Sequence, residues 1–267
     1  MKFSKYHGCG NDFIMGVYED NIDYSSLAIK ICDRHTGIGA DGLILAKGSR
    51  PIEMVFYNAD GSRGLMCGNG IRCLSKFILD NNLDKLEDGK LEISTLSGLR
   101  TVYVNNGLFK VNMGKPSFKA KDVGINKNGE FHNELIQYKE KNFNCSSCFM
   151  TVDHLVVMVD NFNITDDEAS YLCNNPIFTR KINVNFVNII DRNNIRVKTF
   201  ERGVGWTLAC GSGSSASFAL LNKDGLINNS VNVILERGKL KISIDSNKDI
   251  FMEGPAETIS SNVEYNI

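Results

Sequence analysis

The sequence predicts an α/β protein of the mixed α+β kind, built as two pseudo-symmetric domains with the active site in the cleft between them. At 267 residues the chain is longer than a single compact core usually requires. Strand-like and helix-like segments alternate along it, separated by glycine-rich turns. A Cys-Gly-x-Gly tetrad occurs at Cys67 and again 143 residues later at Cys210. The length, the alternation and the repeat together favour two related domains.

In the first half, apolar periodicity and turn residues define the elements. They predict strands over 2–6, 12–18, 42–47, 53–58, 91–96, 100–105 and 108–113, and helices over 25–34 and from just after Gly70 to about Asp80. The polar, turn-rich stretch 115–142 is predicted to be the crossover between the domains. The first domain is expected to cover 1–115 and to be joined by 255–267, with the second over 116–254.

The second half repeats this alternation of strands and helices. Its patterns predict strands over 149–159, 184–190, 195–200, 231–236, 239–245 and 249–253, and helices over 166–173 and from about Ser214 to Leu221. A polar turn precedes each cysteine tetrad and a helix should follow each, so the two cysteines are predicted to occupy equivalent positions.

Composition and charge exclude several classes of protein. The net charge is −1 and there is no long basic run, so we expect neither a nucleic-acid nor an anionic-membrane partner. No segment approaches the roughly 18 apolar residues of a membrane span. Residues 1–8 lack the apolar stretch of a signal peptide, so a cytoplasmic protein is expected, with its eight cysteines largely reduced.

A cysteine at the start of a helix is well placed to act as a chemical reagent. Unpaired backbone N–H groups and the helix dipole stabilise its thiolate, and the following glycines let N–H groups approach a ligand. Racemisation needs one acid/base group on each face of a carbon, and N–H donors for the charge that develops on the carboxylate. A lone cysteine would more often be a packing residue. Two in matched turns favour Cys67 and Cys210 as the acid/base pair of an amino-acid racemase or epimerase.

Five blocks of sequence resemble the diaminopimelate epimerase family. They are HGCGNDF at 7–13, RHTGIGADG at 34–42, NADGS followed by MCGNGIR within 58–72, ERGVG followed by TLACGSG within 201–213, and GPAE at 254–257. The resemblance implies domains that each wrap a sheet around a central helix. It also implies catalysis without pyridoxal phosphate and, commonly, a homodimer. Because the thiol pair and the N–H donors suffice for the chemistry, we expect no cofactor and no metal, and a small-molecule amino acid as the partner.

The same resemblance implies roles for particular residues. The turns at Gly68, Asn69, Gly211 and Ser212 match those that hold the carboxylate at the reacting centre. The residues that match those binding the rest of the substrate are Asn11, Asn58, Asn183, Glu201 and Arg202. His154 and Glu201 match polar residues near the thiols.

The chain departs from the family at two positions that bear on the substrate. Where the family usually reads Gly-Asn-Pro-His, this chain has Val152 in place of the asparagine, and valine cannot form a side-chain hydrogen bond. Trp206 stands where the family usually has glutamate, and its face could stack on a planar side chain. The sequence therefore predicts a racemase for an amino acid other than diaminopimelate, with histidine the leading candidate and Arg202 helping to orient it.

Other interpretations stay open. The first is a diaminopimelate epimerase that converts the LL to the meso isomer for lysine or peptidoglycan synthesis. The second is a catalytically silent amino-acid-binding protein, since folds are reused without their chemistry. A zinc site at the Cys145-x-x-Cys148 spacing would need further ligands that the sequence does not offer.

Overall fold

The computed structural model describes residues 1–266 and divides the chain into two compact units. The first contains Met1–Asn112 and the residues from Glu253 on, and the second is Met113–Met252. The domain boundaries expected from the sequence lie a few residues from these.

Seventeen strands and four α-helices of at least eight residues make up the described chain. In chain order they are β1 (Lys2–Gly8), β2 (Asn11–Val17), α1 (Tyr24–Cys32), β3 (Gly42–Lys47), β4 (Ile52–Asn58), α2 (Gly68–Asp80), β5 (Lys90–Thr95), β6 (Gly98–Asn105), β7 (Leu108–Gly114), β8 (Glu134–Tyr138), β9 (Lys141–Met150), β10 (Val152–Met158), α3 (Asp166–Cys173), β11 (Asn183–Asp191), β12 (Asn194–Glu201), β13 (Gly205–Thr207), α4 (Gly211–Lys223), β14 (Ser230–Leu235), β15 (Gly238–Ile244), β16 (Ile250–Pro255) and β17 (Glu257–Glu264).

The first unit is a mixed sheet packed around α2. Its strands run in the spatial order β17-β1-β2-β3-β4-β5-β6-β7, with parallel pairing only at β2–β3 and β4–β5. Helix α2 contacts β1, β2 and β3. Ile71, Leu74 and Ile78 recur at helical spacing and are buried, so the helix lies in the core rather than at the surface.

The second unit repeats this arrangement. Its order β8-β9-β10-β11-β12-β14-β15 is again antiparallel except at β10–β11 and β12–β14. Helix α3 connects the first parallel pair, as α1 does in the first unit, and α4 connects the second pair, as α2 does. The two units therefore share one topology, which confirms the predicted pseudo-symmetric α+β fold.

Two elements in the middle of the chain differ from their prediction. The run 149–159, predicted as one strand, is a hairpin in which β9 ends at Met150, Thr151 adopts a φ of 64°, and β10 begins at Val152. The turn-rich stretch 115–142, predicted to be the crossover between the domains, lies within the second unit and contains β8 and a short 3-10 helix, Ala120–Val123. Ile136 of β8 belongs to the buried core of the second unit, which its short, polar-flanked sequence does not reveal.

No helix in the described part of the chain, residues 1–266, is long and apolar enough to span a bilayer. The longest, α2 and α4, have 13 residues each.

Candidate functional site

Cys67 is the N-cap of α2. Its backbone is extended, with φ −131° and ψ 122°, and its Sγ accepts a hydrogen bond from the backbone N–H of Gly70 at 3.3 Å. Serine, threonine, aspartate or asparagine usually makes this bond. Here a thiol sulfur receives the donor, which favours its ionised form. The predicted helix start just after Gly70 is thus three residues late, because the cysteine is itself the cap.

The amides of Asn11 and Asn69 lie beside this thiol. Asn69 Nδ2 donates to Asn11 Oδ1 at 3.1 Å, and Cys67 Sγ lies 3.9 Å from the same oxygen. Asn11 Nδ2 in turn donates to a carboxylate oxygen of Asp41 at 2.5 Å. The structure therefore brings together three of the residues that the sequence singled out, and adds Asp41 to them.

Asn58 lies at the end of β4 and closes the turn that precedes α2. Its side-chain amide donates to Ser62 Oγ at 2.9 Å and its backbone N–H donates to the Ser62 carbonyl. This is the turn role that asparagine often has. Gly68, the first residue of α2, is buried.

Cys210 is the N-cap of α4 and repeats the geometry of Cys67. Its φ and ψ are −124° and 108°, and its Sγ accepts from the Gly213 N–H at 3.3 Å. Ser212 Oγ lies 3.5 Å from the same sulfur. Gly211, at the start of the helix, is buried. The two predicted helix-start cysteines thus share one cap geometry, each within its own unit.

A buried network of neutral side chains supports the start of α4. Asn185 Nδ2 donates to the Leu155 carbonyl at 3.0 Å and to His154 Nδ1 at 3.1 Å, and its Oδ1 accepts from Thr199 at 3.0 Å. A Cβ added to Gly213 would come within 2.0 Å of that Oδ1, so the glycine permits the close approach of helix and amide.

The network also fixes the protonation of His154. Its Nδ1 accepts a hydrogen bond, so the proton of the neutral ring is on Nε2, which has no hydrogen-bond partner within residues 1–266. Burial, with a smaller contribution from the positive charge of Arg202, lowers the pKa of His154 to about 3. The ring is therefore neutral at physiological pH.

Glu201, Arg202 and Asn183 meet where β11 and β12 pair. Asn183 Oδ1 accepts from the Arg202 backbone N–H at 3.0 Å, and Glu201 Oε1 accepts from Thr207 Oγ1 at 2.8 Å. The Arg202 guanidinium donates to the carboxylate of Asp153 at 3.2 Å. Sequence analysis overlooked Asp153, although a carboxylate next to His154 in an otherwise apolar run was an available signal.

Asp153 holds two arginines at once. Its side chain is only 5% exposed and lies 3.0 Å from Arg180 and 3.2 Å from Arg202. Arg202 also donates to the Arg180 carbonyl. Val152, just before Asp153, is half-buried at the start of β10. The position of the Arg202 side chain is thus set largely by Asp153.

Trp206 makes its contacts inside the second unit. Its ring packs against Phe186 and Phe200, with centroids 5.6 and 5.3 Å apart, and Lys198 Nζ lies 4.2 Å from the ring centroid. Its Nε1 donates to Asp166 at 2.7 Å. These contacts explain the tryptophan as a packing residue and give no support to an imidazole stacked on it.

Five of the other six thiols are poor reagents. Burial raises the pKa of Cys32 and of Cys145 to about 12, and it also raises the pKa values of Cys73, Cys148 and Cys173. A desolvated thiol resists ionisation and is a weak nucleophile. In residues 1–266, no three histidine, cysteine or acidic side chains are grouped as metal ligands would be.

Solved structures share this fold at low sequence identity. A phenazine biosynthesis protein of the PhzF family from Bacillus anthracis aligns over 100% of this chain and 99% of its own, with a TM-score of 0.73 and 15% identity. A hydroxyproline epimerase from Agrobacterium vitis aligns over 97% and 89%, with a TM-score of 0.69 and 14% identity.

Sequence comparison is more specific. The family profile described as diaminopimelate epimerase matches residues 3–119 and 147–259. A diaminopimelate epimerase of Alkaliphilus metalliredigens is 40% identical, covering 100% of this chain and 98% of its own. Another, from Caldanaerobacter subterraneus subsp. tengcongensis, is 37% identical over 97% of each.

Together with these matches, the duplicated fold and its two cysteine-capped helices define an isomerase of the amino-acid racemase and epimerase class. Within that class, the chain belongs to the diaminopimelate epimerase family.

Proposed function

We propose that this protein epimerises diaminopimelate from the LL to the meso isomer, without a cofactor, using Cys67 and Cys210 as its two acid/base groups. The observation that carries the proposal is the pair of matched caps, in which each sulfur accepts a backbone N–H at 3.3 Å. Two thiols in the same cap geometry suit a reaction that must run in both directions. The choice of substrate is supported by the relatives at 40% and 37% identity, both of which are named diaminopimelate epimerase.

In the proposed reaction one cysteine is a thiolate and the other a thiol. The thiolate takes the α-proton and leaves a carbanion whose charge spreads into the carboxylate. The thiol then donates its proton to the opposite face, so the two cysteines have exchanged protonation states and the net charge is unchanged. Backbone N–H groups in the first turns of α2 and α4, at Gly68, Asn69, Gly211 and Ser212, would stabilise the carboxylate.

Other polar groups are proposed to bind the remainder of the substrate. They are Asn11, Asn58, Asn183, Glu201 and Arg202, with His154 as an auxiliary group. Arg202 is a fixed donor for this purpose because Asp153 and a backbone carbonyl hold its guanidinium. Val152 offers the substrate only an apolar contact.

Histidine is the competing substrate. Val152 still favours a substrate with fewer polar groups at its distal end. The stacking argument for histidine is weakened, however, because Trp206 packs against Phe186 and Phe200 and hydrogen-bonds Asp166. Diaminopimelate therefore replaces histidine as the preferred substrate.

Exchange of the α-proton in D2O tests the proposal. LL-diaminopimelate, meso-diaminopimelate and L-histidine are compared by NMR at equal concentrations, with Cys67→Ala and Cys210→Ala as matched controls. We expect rapid exchange with the diaminopimelate isomers in the unmodified protein and exchange about 10²–10⁴-fold slower in either variant. Faster exchange with L-histidine would overturn the substrate. Binding of an amino acid without exchange in the unmodified protein would instead indicate a binding protein.

A homodimer and a cytoplasmic location are also proposed, both from the family resemblance and the sequence. Light scattering after size-exclusion chromatography measures the first, and cell fractionation measures the second. A monomeric mass at micromolar concentration would contradict the proposed dimer.

A further inference from the structure

We infer that Asp41 is a positioning residue for Cys67: it fixes the Asn11 amide so that the oxygen Oδ1, and not the nitrogen Nδ2, faces the thiol. This inference rests on the proposed function in one respect only, that Cys67 is a reagent. Asp41 lies on the loop immediately before β3 and its own atoms do not need to reach a substrate. It acts through Asn11.

Four hydrogen bonds in series determine the amide orientations. Arg72 donates to Asn69 Oδ1 at 3.0 Å, Asn69 Nδ2 donates to Asn11 Oδ1 at 3.1 Å, Asn11 Nδ2 donates to Asp41 Oδ2 at 2.5 Å, and Arg34 donates to Asp41 Oδ1 at 2.8 Å. A guanidinium can only donate and a carboxylate can only accept. Every amide between them must therefore point the same way, and turning Asn11 over would break two bonds.

The two ends of this chain are anchored differently. Arg72 is fully buried in α2, where it also donates to the Gly68 carbonyl. Asp41 is more exposed and is held by Arg34 and by the Asp12 backbone N–H at 3.1 Å. A substitution of Arg72 would disrupt the buried core, whereas a substitution of Asp41 should disturb the core less.

Other charged and titratable groups also surround the cluster. Lys5 and Arg34 pair with Asp12 at 3.0 and 2.7 Å, and the titratable thiols of Cys9 and Cys73 lie near the Arg72 guanidinium. The cations Lys5 and Arg34 balance the anions Asp12 and Asp41. The feature that Asp41 adds is therefore the direction of the Asn11 dipole.

That direction sets the balance between the two forms of Cys67. Its Sγ receives the Gly70 N–H at 3.3 Å, which favours the thiolate, and lies 3.9 Å from Asn11 Oδ1, which can accept only from the thiol. If the amide were turned, Nδ2 would face the sulfur and both neighbours would favour the thiolate. Asp41 thus preserves the protonated form of Cys67, which the reaction needs whenever this residue is the acid.

The test follows alkylation of Cys67 by iodoacetamide as a function of pH, in a Cys210→Ala background, with the modified peptide quantified by mass spectrometry. In Asp41→Asn the single remaining oxygen is expected to face the Arg34 guanidinium, which turns the NH2 donor toward Asn11. The pH midpoint of the alkylation rate should then fall by about one unit. Asp41→Glu should restore the midpoint. Asp84→Asn, which removes an ion pair with Arg50 elsewhere in the same unit, should leave it unchanged.

A double-mutant cycle separates positioning from general damage. Asn11→Leu removes the acceptor, so its midpoint should fall, and Asp41→Asn should add nothing in the Asn11→Leu background. The inference is wrong if folded Asp41→Asn has the same alkylation midpoint as the parent protein. It is also wrong if the midpoint shifts of Asp41→Asn and Asn11→Leu add up in the double variant. If Asp41→Asn does not fold, Asn11→Leu alone decides, because an unchanged midpoint there means that the Asn11 oxygen does not hold the thiol proton.

This readout needs no substrate. If the protein does not exchange the α-proton of LL-diaminopimelate but shows the alkylation shifts, the proposed substrate is wrong and the positioning role of Asp41 stands. If the protein is an active epimerase but the alkylation midpoint of Cys67 is the same with and without Asp41, the proposed function stands and the inference about Asp41 is wrong.

Discussion

The starts of α2 and α4 have the same backbone but different surroundings. Both begin with an extended cysteine whose sulfur accepts an N–H three residues on. The amides of Asn11 and Asn69 lie beside Cys67. Asn11 is hydrogen-bonded to the Asp41 carboxylate, and Asn69 to the Arg72 guanidinium, which is buried in α2. The support beneath the start of α4 is neutral instead, built from Asn185 and its partners.

The two helices also differ in the polar side chains that they bury. In α4, three buried serines each donate to a carbonyl four residues back: Ser214 to Cys210, Ser215 to Gly211 and Ser217 to Gly213. In α2, the buried Ser75 donates to the Ile71 carbonyl in the same way, but Arg72 donates to Asn69 and to the Pro255 carbonyl of β16. Duplication has thus kept the cap and the strand pairing while the environments diverged. The two thiols therefore share a cap geometry, but the side chains around Cys67 are linked to ions and those beneath Cys210 are neutral.

The largest expected effect comes from removing either thiol. Cys67→Ala or Cys210→Ala should lower the rate of α-proton exchange by about 10²–10⁴-fold, because a positioned acid/base group is lost. Serine at either position can still accept the N–H bond of the cap, so the serine variants should keep their stability while losing activity. Exchange rates and urea denaturation measure both effects. Full activity in either alanine variant would mean that the caps are structural.

A second pair of variants tests the packing beneath the caps. A Cβ on Gly213 would lie 2.0 Å from Asn185 Oδ1, which other hydrogen bonds hold in place. A Cβ on Gly70 would lie 2.6 Å from Ile44 Cδ1, the end of a flexible side chain. We expect Gly213→Ala to destabilise by about 3 kcal/mol and Gly70→Ala by about 1 kcal/mol, within the usual range for overpacking. Equal losses in urea denaturation would remove this distinction between the caps.

The neutral network should also show itself in the pH dependence of stability. The pKa of His154 is about 3 in the folded protein, against an ordinary value of 6.5. As pH falls below about 6.5, His154 binds a proton in the unfolded chain but not in the folded chain. Its contribution should therefore lower the free energy of unfolding as pH falls from about 6.5 toward 3. Above pH 6.5 this residue should contribute no pH dependence. His154→Gln should reduce that slope, while His35→Gln, at an exposed position, should not. Parallel slopes in unmodified and His154→Gln protein would contradict the assignment.

The smallest expected effect is at Asp153. Replacing it with asparagine removes the charge that holds Arg180 and Arg202, two partly exposed side chains. Arg202 keeps its bond to the Arg180 carbonyl and is partly exposed to water, so KM for the substrate should rise by only about two- to fivefold, with kcat nearly unchanged. Asp160→Asn, at an exposed site of the same unit, is the control. An equal fall in kcat would show that Asp153 acts on the chemistry and not on the position of Arg202.

The sequence predicts most of the architecture because strand and helix periodicities are local properties. It also predicts the helix-start position of both cysteines, because the Cys-Gly-x-Gly tetrads and the helices that follow them are contiguous. It does not predict the β9–β10 hairpin, since nothing local indicates that Thr151 adopts a positive φ.

The contacts of Trp206 and Asp153 are missed for a different reason. Trp206 packs against Phe186 and reaches Asp166, and Asp153 pairs with Arg180 and Arg202. These partners are distant in sequence, so no pattern within one segment connects them. The details that bear on substrate choice depend on such tertiary contacts.

The pairing of β1 with β17 has a consequence for biosynthesis. It aligns Lys2 with Glu264 and His7 with Glu257, so the first unit contains strands from both ends of the described chain. On the ribosome, every residue of the second unit emerges before β17 does. The second unit can therefore complete its sheet first, while β1 keeps one edge unpaired until the last strand arrives. Strands of other molecules can add at an unpaired edge, so we expect the nascent first unit to be more prone to aggregation than the second until β17 has been synthesised.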